Sequence, residues 1–128
     1  MKGPFQKAMR RLTLLMRPIA LKSAGKVGSS TSVIHHVGRR SGSNYETPVV
    51  AVEHEDGFLV ALPYGEGTDW LRNVLANGKA EITTGGKRQP VERPEVIPIS
   101  EATPYFRPKE QRLQRRFRVE SALRLRRT

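Results

Sequence analysis

Thr31-Ser32-Val33-Ile34-His35-His36-Val37 runs into Gly38-Arg39-Arg40-Ser41-Gly42-Ser43, and beyond that basic segment lies Thr47-Pro48-Val49-Val50-Ala51-Val52. β-Branched and apolar residues fill both flanks, and the glycines can take the positive φ that a chain reversal requires. The expectation is strand, basic turn, strand. Arginine offers a planar fork of donors matched to phosphate oxygens, serine adds a short donor, and glycine lets backbone N–H groups converge on a charge. Such a turn suits phosphate or carboxylate. A hairpin whose arginines merely keep a sheet edge soluble has the same composition, so the choice between them rests on the rest of the chain.

The second informative stretch is Leu62-Pro63-Tyr64-Gly65-Glu66-Gly67-Thr68-Asp69-Trp70-Leu71-Arg72-Asn73, which follows the apolar run Gly57-Phe58-Leu59-Val60-Ala61. It reads as strand, loop, helix. Thr68 is placed to cap the helix and Asp69 to sit in its first turn. Trp70, Leu71, Val74 and Leu75 recur at helical spacing until Asn77-Gly78 ends it. A helix start behind glycines can hold an anion, but Glu66 and Asp69 oppose a bare one here. Gly65-Glu66-Gly67 opens like a dinucleotide fingerprint, yet Trp70 stands where the third glycine belongs, and no Gly-Lys-Ser/Thr follows for a P-loop. Both nucleotide motifs are excluded.

Working outward, strands are expected near 31–37, 46–54, 57–63, 79–84, 87–92 and 95–99, with helices to about Leu21 and over 69–77. Close spacing and the turns Glu55-Asp56-Gly57 and Thr84-Gly85-Gly86-Lys87 favour a small antiparallel barrel over a parallel sheet. The fold class is mainly β (α+β). The 128 residues suit a single domain, and the absence of cysteine excludes disulfides, thiolate catalysis and cysteine–zinc sites. His35 and His36 are neighbours on a strand and point to opposite faces, and His54 stands apart, so no metal site is expected. Ser41 lacks the Gly-x-Ser-x-Gly elbow, so a serine hydrolase is not expected either.

The formal charge is +11, unevenly spread. Residues 1–40 carry 9 basic and no acidic side chains, residues 41–106 carry 5 and 10, and residues 107–128 carry 9 and 2. The reading divides the chain into an N-terminal helical arm (1–25), the barrel, and a basic C-terminal tail (107–128) whose fold, helix or strand, stays open. In the arm, Phe5, Met9, Leu12, Leu15, Met16 and Ile19 form a helical stripe among Lys2, Lys7, Arg10, Arg11 and Arg17. That stripe can pack on the barrel or lie on anionic lipid. No apolar run is long enough to span a membrane, and the arginines break any secretory signal. A cytoplasmic protein, peripheral to the membrane at most, is expected. Two basic ends also fit a nucleic-acid binder, but few aromatic stacking platforms and no recognition motif accompany them.

The segment from Val33 to Ile82 resembles the deazaflavin-dependent nitroreductase family, split β-barrel enzymes of the type that binds flavin mononucleotide (the pyridoxamine-phosphate-oxidase type), which use reduced coenzyme F420. The features that carry the resemblance are Gly38-Arg39-Arg40-Ser41-Gly42, Pro48 at the head of an apolar strand, Asp69-Trp70-Leu71-Arg72-Asn73, and Ala76-Asn77-Gly78-Lys79-Ala80. The resemblance implies that Arg39, Arg40, Ser41 and Gly42 grip the phosphate and polyglutamyl tail. It also implies that Thr47, Pro48, Leu62, Pro63, Tyr64, Gly65, Trp70 and Asn73 line the deazaflavin slot. Two positions depart from the pattern: Arg40 replaces a lysine, and Tyr45 stands where many relatives are basic. Flat apolar walls suit a tricyclic ring, although Trp70 at a helix start serves equally as a core anchor.

The activity implied is hydride transfer from reduced F420, or in second place a role for flavin mononucleotide, to a quinone, nitroaromatic or other electrophile. Tyr64 and Tyr105 are the candidate hydrogen-bond donors to charge developing on the acceptor. The alternatives are a basic nucleic-acid-binding protein and a non-catalytic flavin or deazaflavin carrier.

Overall fold

A strand made entirely of apolar residues must have both faces covered. How that is done here is seen in the computed structural model, which describes residues 31–128. The helical arm expected over 1–25 lies outside the described residues. In chain order the elements are β1 (Thr31–Val37), β2 (Asn44–His54), β3 (Gly57–Ala61), α1 (Asp69–Asn77), β4 (Lys79–Thr84), β5 (Lys87–Pro98), α2 (Pro108–Arg116) and β6 (Ser121–Arg127). The strands form a closed antiparallel barrel in the order β1-β2-β3-β6-β5-β4, with β4 returning to β1.

β3 sits between β2 and β6. Phe58 and Val60 point into the barrel, where they meet Leu123 and Leu125 from the opposite positions of β6, together with Ile34, Val49, Ala51, Ile82 and Val91. Leu59 and Ala61 point the other way, into a second cluster with Ile97, Ala122, Ala102 and Phe106. The two short 3-10 turns after β5, at Ile99–Glu101 and Thr103–Tyr105, bring Ala102 and Phe106 over the outer face of the sheet. α1 presents Trp70, Leu71 and Val74 to the interior cluster.

Two of the long strands serve two neighbours each. The first half of β2 pairs with β1 and its second half with β3. β5 pairs with β4 and then with β6, and between Glu92 and Glu95 its register shifts at a bulge where Arg93 takes φ 54°. The separate strands expected at 87–92 and 95–99 are thus one strand, bent at Arg93-Pro94 because proline cannot continue the ladder. The sixth strand comes instead from the basic C-terminal stretch: residues 107–128 hold α2 and the barrel-closing β6. In Ser121-Ala122-Leu123-Arg124-Leu125-Arg126-Arg127 the leucines face inward while Arg124 and Arg126 face out.

Closure brings backbones very close at Gly57. A Cβ built there would lie 1.8 Å from the carbonyl oxygen of Leu125, which is backbone and cannot swing aside. Gly57→Ala is expected to cost about 2–3 kcal/mol through forced separation of β3 and β6, lowering the thermal midpoint by roughly 10 °C. Calorimetry on the variant checks this, and a midpoint within a degree or two of the parent would refute it.

Candidate functional site

The basic turn is held at both of its ends. Gly38 N–H donates to the Ser43 carbonyl at 2.8 Å and Gly42 N–H to the Gly38 carbonyl at 3.0 Å, with Gly42 at φ 73°. Ser41 Oγ accepts from Ser43 N–H at 3.2 Å. Its φ and its contacts explain why this loop wants glycine at 42 and hydroxyls beside it.

Arg39 and Arg40 then diverge. Arg39 turns towards α1, where its backbone N–H and Nη1 both donate to Asn73 Oδ1, at 3.1 and 2.7 Å, and its Nη2 lies 3.6 Å from Asp69. Arg40 is exposed, and its guanidinium has no partner among the described residues. The backbone N–H groups of Arg40 and Ser41 likewise meet no acceptor among the described residues. The tip of the turn thus offers a cation and two adjacent N–H donors to solvent, which is the donor set of an anion cradle.

Behind the turn, His36 Nδ1 lies 3.1 Å from Asn73 Nδ2 and His36 Nε2 lies 2.9 Å from Thr47 Oγ1. Tyr45 stacks on the imidazole, centroids 5.7 Å apart and planes inclined by 23°. Its hydroxyl is 3.4 Å from Ser41 Oγ. The position that lacks a basic residue is therefore filled by a ring that pins His36. The Asn77 side-chain amide donates to the Val37 carbonyl at 2.8 Å, a second tie between α1 and β1.

Among the residues the sequence nominates, Arg39, Ser41, Gly42, Thr47 and Asn73 are brought together with Arg40 at the tip. Trp70 and Leu62 are 9% and 3% exposed and belong to the interior cluster. Pro48 projects from the face of β2 opposite to Thr47, because strand side chains alternate, so it does not face Trp70 across a common gap. Pro63 is exposed and Tyr64 half-buried in the loop that leads to α1, where Gly65 takes φ 81° and donates to the Leu62 carbonyl at 3.1 Å. Tyr105 is elsewhere: it packs on His54, centroids 3.9 Å apart, at the end of β2 remote from the turn. That is roughly 30 Å along the strand. It borders a different cleft of about 410 Å³, lined by His54, Glu55, Ser100, Glu101 and Arg124 among others. Thr68 precedes α1 in extended conformation but makes no side-chain cap; its hydroxyl is buried with no partner among the described residues. His36 and Asp69, which the sequence reading did not place in the site, complete it. The available signal was phase: His36 shares its strand face with Ser32 and Ile34, and lies opposite Tyr45 in the hairpin register.

With this geometry in view, comparison with known proteins decides the family. The model of the F420H(2)-dependent quinone reductase family matches residues 14–120. The chain belongs to that family. A protein of Mycobacterium tuberculosis (strain ATCC 25618 / H37Rv) that carries the name of an F420H(2)-dependent quinone reductase is 31% identical over 64 residues, covering 48% of this chain and 54% of that protein. The chain thus spans about half the length of this curated relative. Among solved structures, an F420-H2 dependent reductase (FDR-A) superposes with a TM-score of 0.55 at 14% identity, covering 74% of this chain and 93% of the other. Protein Atu2129 of Agrobacterium tumefaciens gives 0.57 at 17% identity, covering 87% and 54%. HutZ, a heme storage protein of Vibrio cholerae, gives 0.52 at 12%, covering 79% and 83%. These likenesses establish the split-barrel fold.

His35 points to the other face of β1, with Nε2 2.7 Å from Thr83 Oγ1 and Nδ1 3.5 Å from Glu46. Burial holds its pKa below the ordinary value, Arg88 adding to the effect while Glu46 and Glu81 oppose it. Just below the ordinary histidine pKa of about 6.5, the unfolded chain binds a proton that the folded chain refuses, so stability must fall as pH drops through that window. Thermal midpoints are expected to decline from pH 7 to 5.5, and His35→Gln to flatten the decline. An unchanged slope in the variant would remove His35 as its source.

Proposed function

We propose that this protein is an F420H2-dependent reductase whose acceptor is a quinone, with nitroaromatic and other electrophilic molecules as the second class. Family membership supports the cofactor and the type of reaction. The observation that carries the reading is the donor set at the turn tip, where Arg40 and two adjacent N–H groups have no partner among the described residues while Arg39 is locked to α1. That set fits the phosphate and carboxylates of the F420 tail. When bound, reduced F420 supplies a hydride equivalent.

The chain's own part in this reading is binding and orientation. Arg40 and the Arg40–Ser41 amides hold the anionic tail. Arg39 serves as a strut, since its backbone N–H and Nη1 both donate to Asn73. Pro63 and Tyr64, at the surface of the loop before α1, are the residues assigned to the ring or the acceptor, with Tyr64 as the phenol of that loop. Trp70 and Leu62 support that loop from the core. Arg40→Ala is expected to weaken F420 binding by roughly 10- to 100-fold, as one charge-assisted contact of about 1.5–3 kcal/mol implies, with the melting temperature unchanged. Spectroscopic titration with F420 and, separately, with flavin mononucleotide checks this. Equal affinity for the two cofactors, or indifference to Arg40→Ala, would sink the reading.

Contact with anionic membrane belongs to the same proposal, and α2 supplies its support. Leu113 and Phe117 are 44% and 45% exposed, one helical turn apart. Around them stand Lys109, Arg112, Arg115, Arg116 and Arg118, none ion-paired with a described residue, and Arg116 lies 6.0 Å from the centroid of the Phe117 ring. The helix's acid, Glu110, is buried and tied to Arg107 at 2.8 Å. Exposed apolar side chains within an unneutralised cationic ring match an anionic bilayer surface. The protein is expected to sediment with vesicles containing phosphatidylserine and not with neutral ones, and to be released by high salt. Leu113→Gln with Phe117→Gln should abolish sedimentation. Binding that survives this double change, or equal binding to neutral vesicles, would refute the α2 surface; salt-sensitive retention of DNA in place of vesicles would favour the nucleic-acid alternative.

A further inference from the structure

Asn73 has a single carbonyl oxygen, and it accepts from two donors of Arg39. Only one orientation of the carboxamide allows this, and it directs the amide nitrogen at His36 Nδ1, 3.1 Å away. The amide nitrogen can only donate, so Nδ1 must accept and carries no proton. A neutral imidazole then has its proton on Nε2, facing Thr47 Oγ1 at 2.9 Å. The tautomer of a histidine that is 6% exposed is thus fixed by an arginine that it does not touch.

We infer that His36 is the positioning residue of the anion turn: as the neutral Nε2–H tautomer it orients Asn73, through Asn73 it fixes Arg39, and so it sets the pose in which the turn presents Arg40. This rests on the reading of the turn as the cofactor's anion site. A proton added at Nδ1 would set an N–H against the Asn73 amide N–H. Relief requires the carboxamide to rotate, and rotation turns its NH2 towards the two Arg39 donors and breaks both of their bonds. The pose therefore holds above the His36 titration and is released below it.

The groups facing His36 bear on that titration. From the turn comes the Arg39 guanidinium and from α1 the Asp69 carboxylate, 3.6 Å from it. From β2 come uncharged Thr47 and the stacked phenol of Tyr45. On the β4 side, Glu81 and Arg88 act on His35, which points to the other face of the sheet.

The test begins without a ligand. In 15N–1H spectra of the protein recorded from about pH 8 to pH 5, across the ordinary histidine range, the Arg39 backbone amide and the Asn73 side-chain amide should shift together, in step with the His36 ring resonances. His36→Asn, which places an amide oxygen near the position of Nδ1 that no proton can occupy, should keep the Arg39 amide at its high-pH position throughout. His36→Phe retains the stack on Tyr45 but brings neither an acceptor nor an opposing N–H, so the Arg39 amide should stop responding to pH, and with the Asn73 amide left unanchored F420 affinity should fall about tenfold while His36→Asn stays within threefold of the parent. An Arg39 amide that ignores the titration of His36, or a His36→Phe protein that binds F420 as the parent does, would overturn the inference. If the parent fails to bind F420 yet the Arg39 and Asn73 amides still follow His36, the cofactor reading falls and the relay stands. The parent's pH series needs no variant to fold.

Discussion

The interior of the barrel is full, and everything functional follows from that. Six strands close around Ile34, Phe58, Val60, Ile82, Val91, Leu123 and Leu125, all at most 1% exposed. Packing at the density of protein interiors leaves such a core no room for a tricyclic ligand. A site must therefore be built on the rim or the outer surface, from loops and from whatever the barrel lends them. Here it lends one end of the β1–β2 hairpin and the helix α1.

What holds the basic hairpin in one defined conformation is the carboxamide of Asn73. A loop containing two glycines and two arginines has many conformations, and holding a doubly cationic tip in one of them is entropically costly. Asn73 is buried on a helix whose other inward residues, Trp70, Leu71 and Val74, are anchored in the core. Its two polar ends reach the turn on one side and β1 on the other, so the rigidity of the barrel is passed to the loop by hydrogen bonds. Trp70, on this view, anchors the helix that carries Asn73.

Much of this was legible in the residues. The strand-turn-strand reading at 31–52 and the helix at 69–77 followed from β-branched flanks, glycine placement and helical spacing, because those signals are local. β6 was not, because nine basic side chains across 107–128 mask a clean alternation at Leu123 and Leu125, and because nothing local says which distant strand it will join. The division of β5 failed for a related reason: Arg93-Pro94 reads as a break, and only pairing to two different neighbours makes it a bulge. The roles of Arg39, His36 and Tyr45 are properties of register and of a contact across 37 positions. Nothing in the sequence says that Arg39 turns to Asn73 while Arg40 stays exposed.

The position of β3 has a consequence for how the chain is made. Its two faces are the most apolar of any strand here, and the neighbour that covers its free edge, β6, begins 60 residues after β3 ends. At translation rates of about 5–20 residues per second, that edge waits roughly 3–12 s for its partner. During that interval Phe58, Leu59 and Val60 line an unpaired strand of the kind that recruits other chains. Nascent molecules should therefore lean on holding chaperones more than the small size of the finished barrel suggests, and the yield of folded protein should respond to the speed of synthesis through this segment.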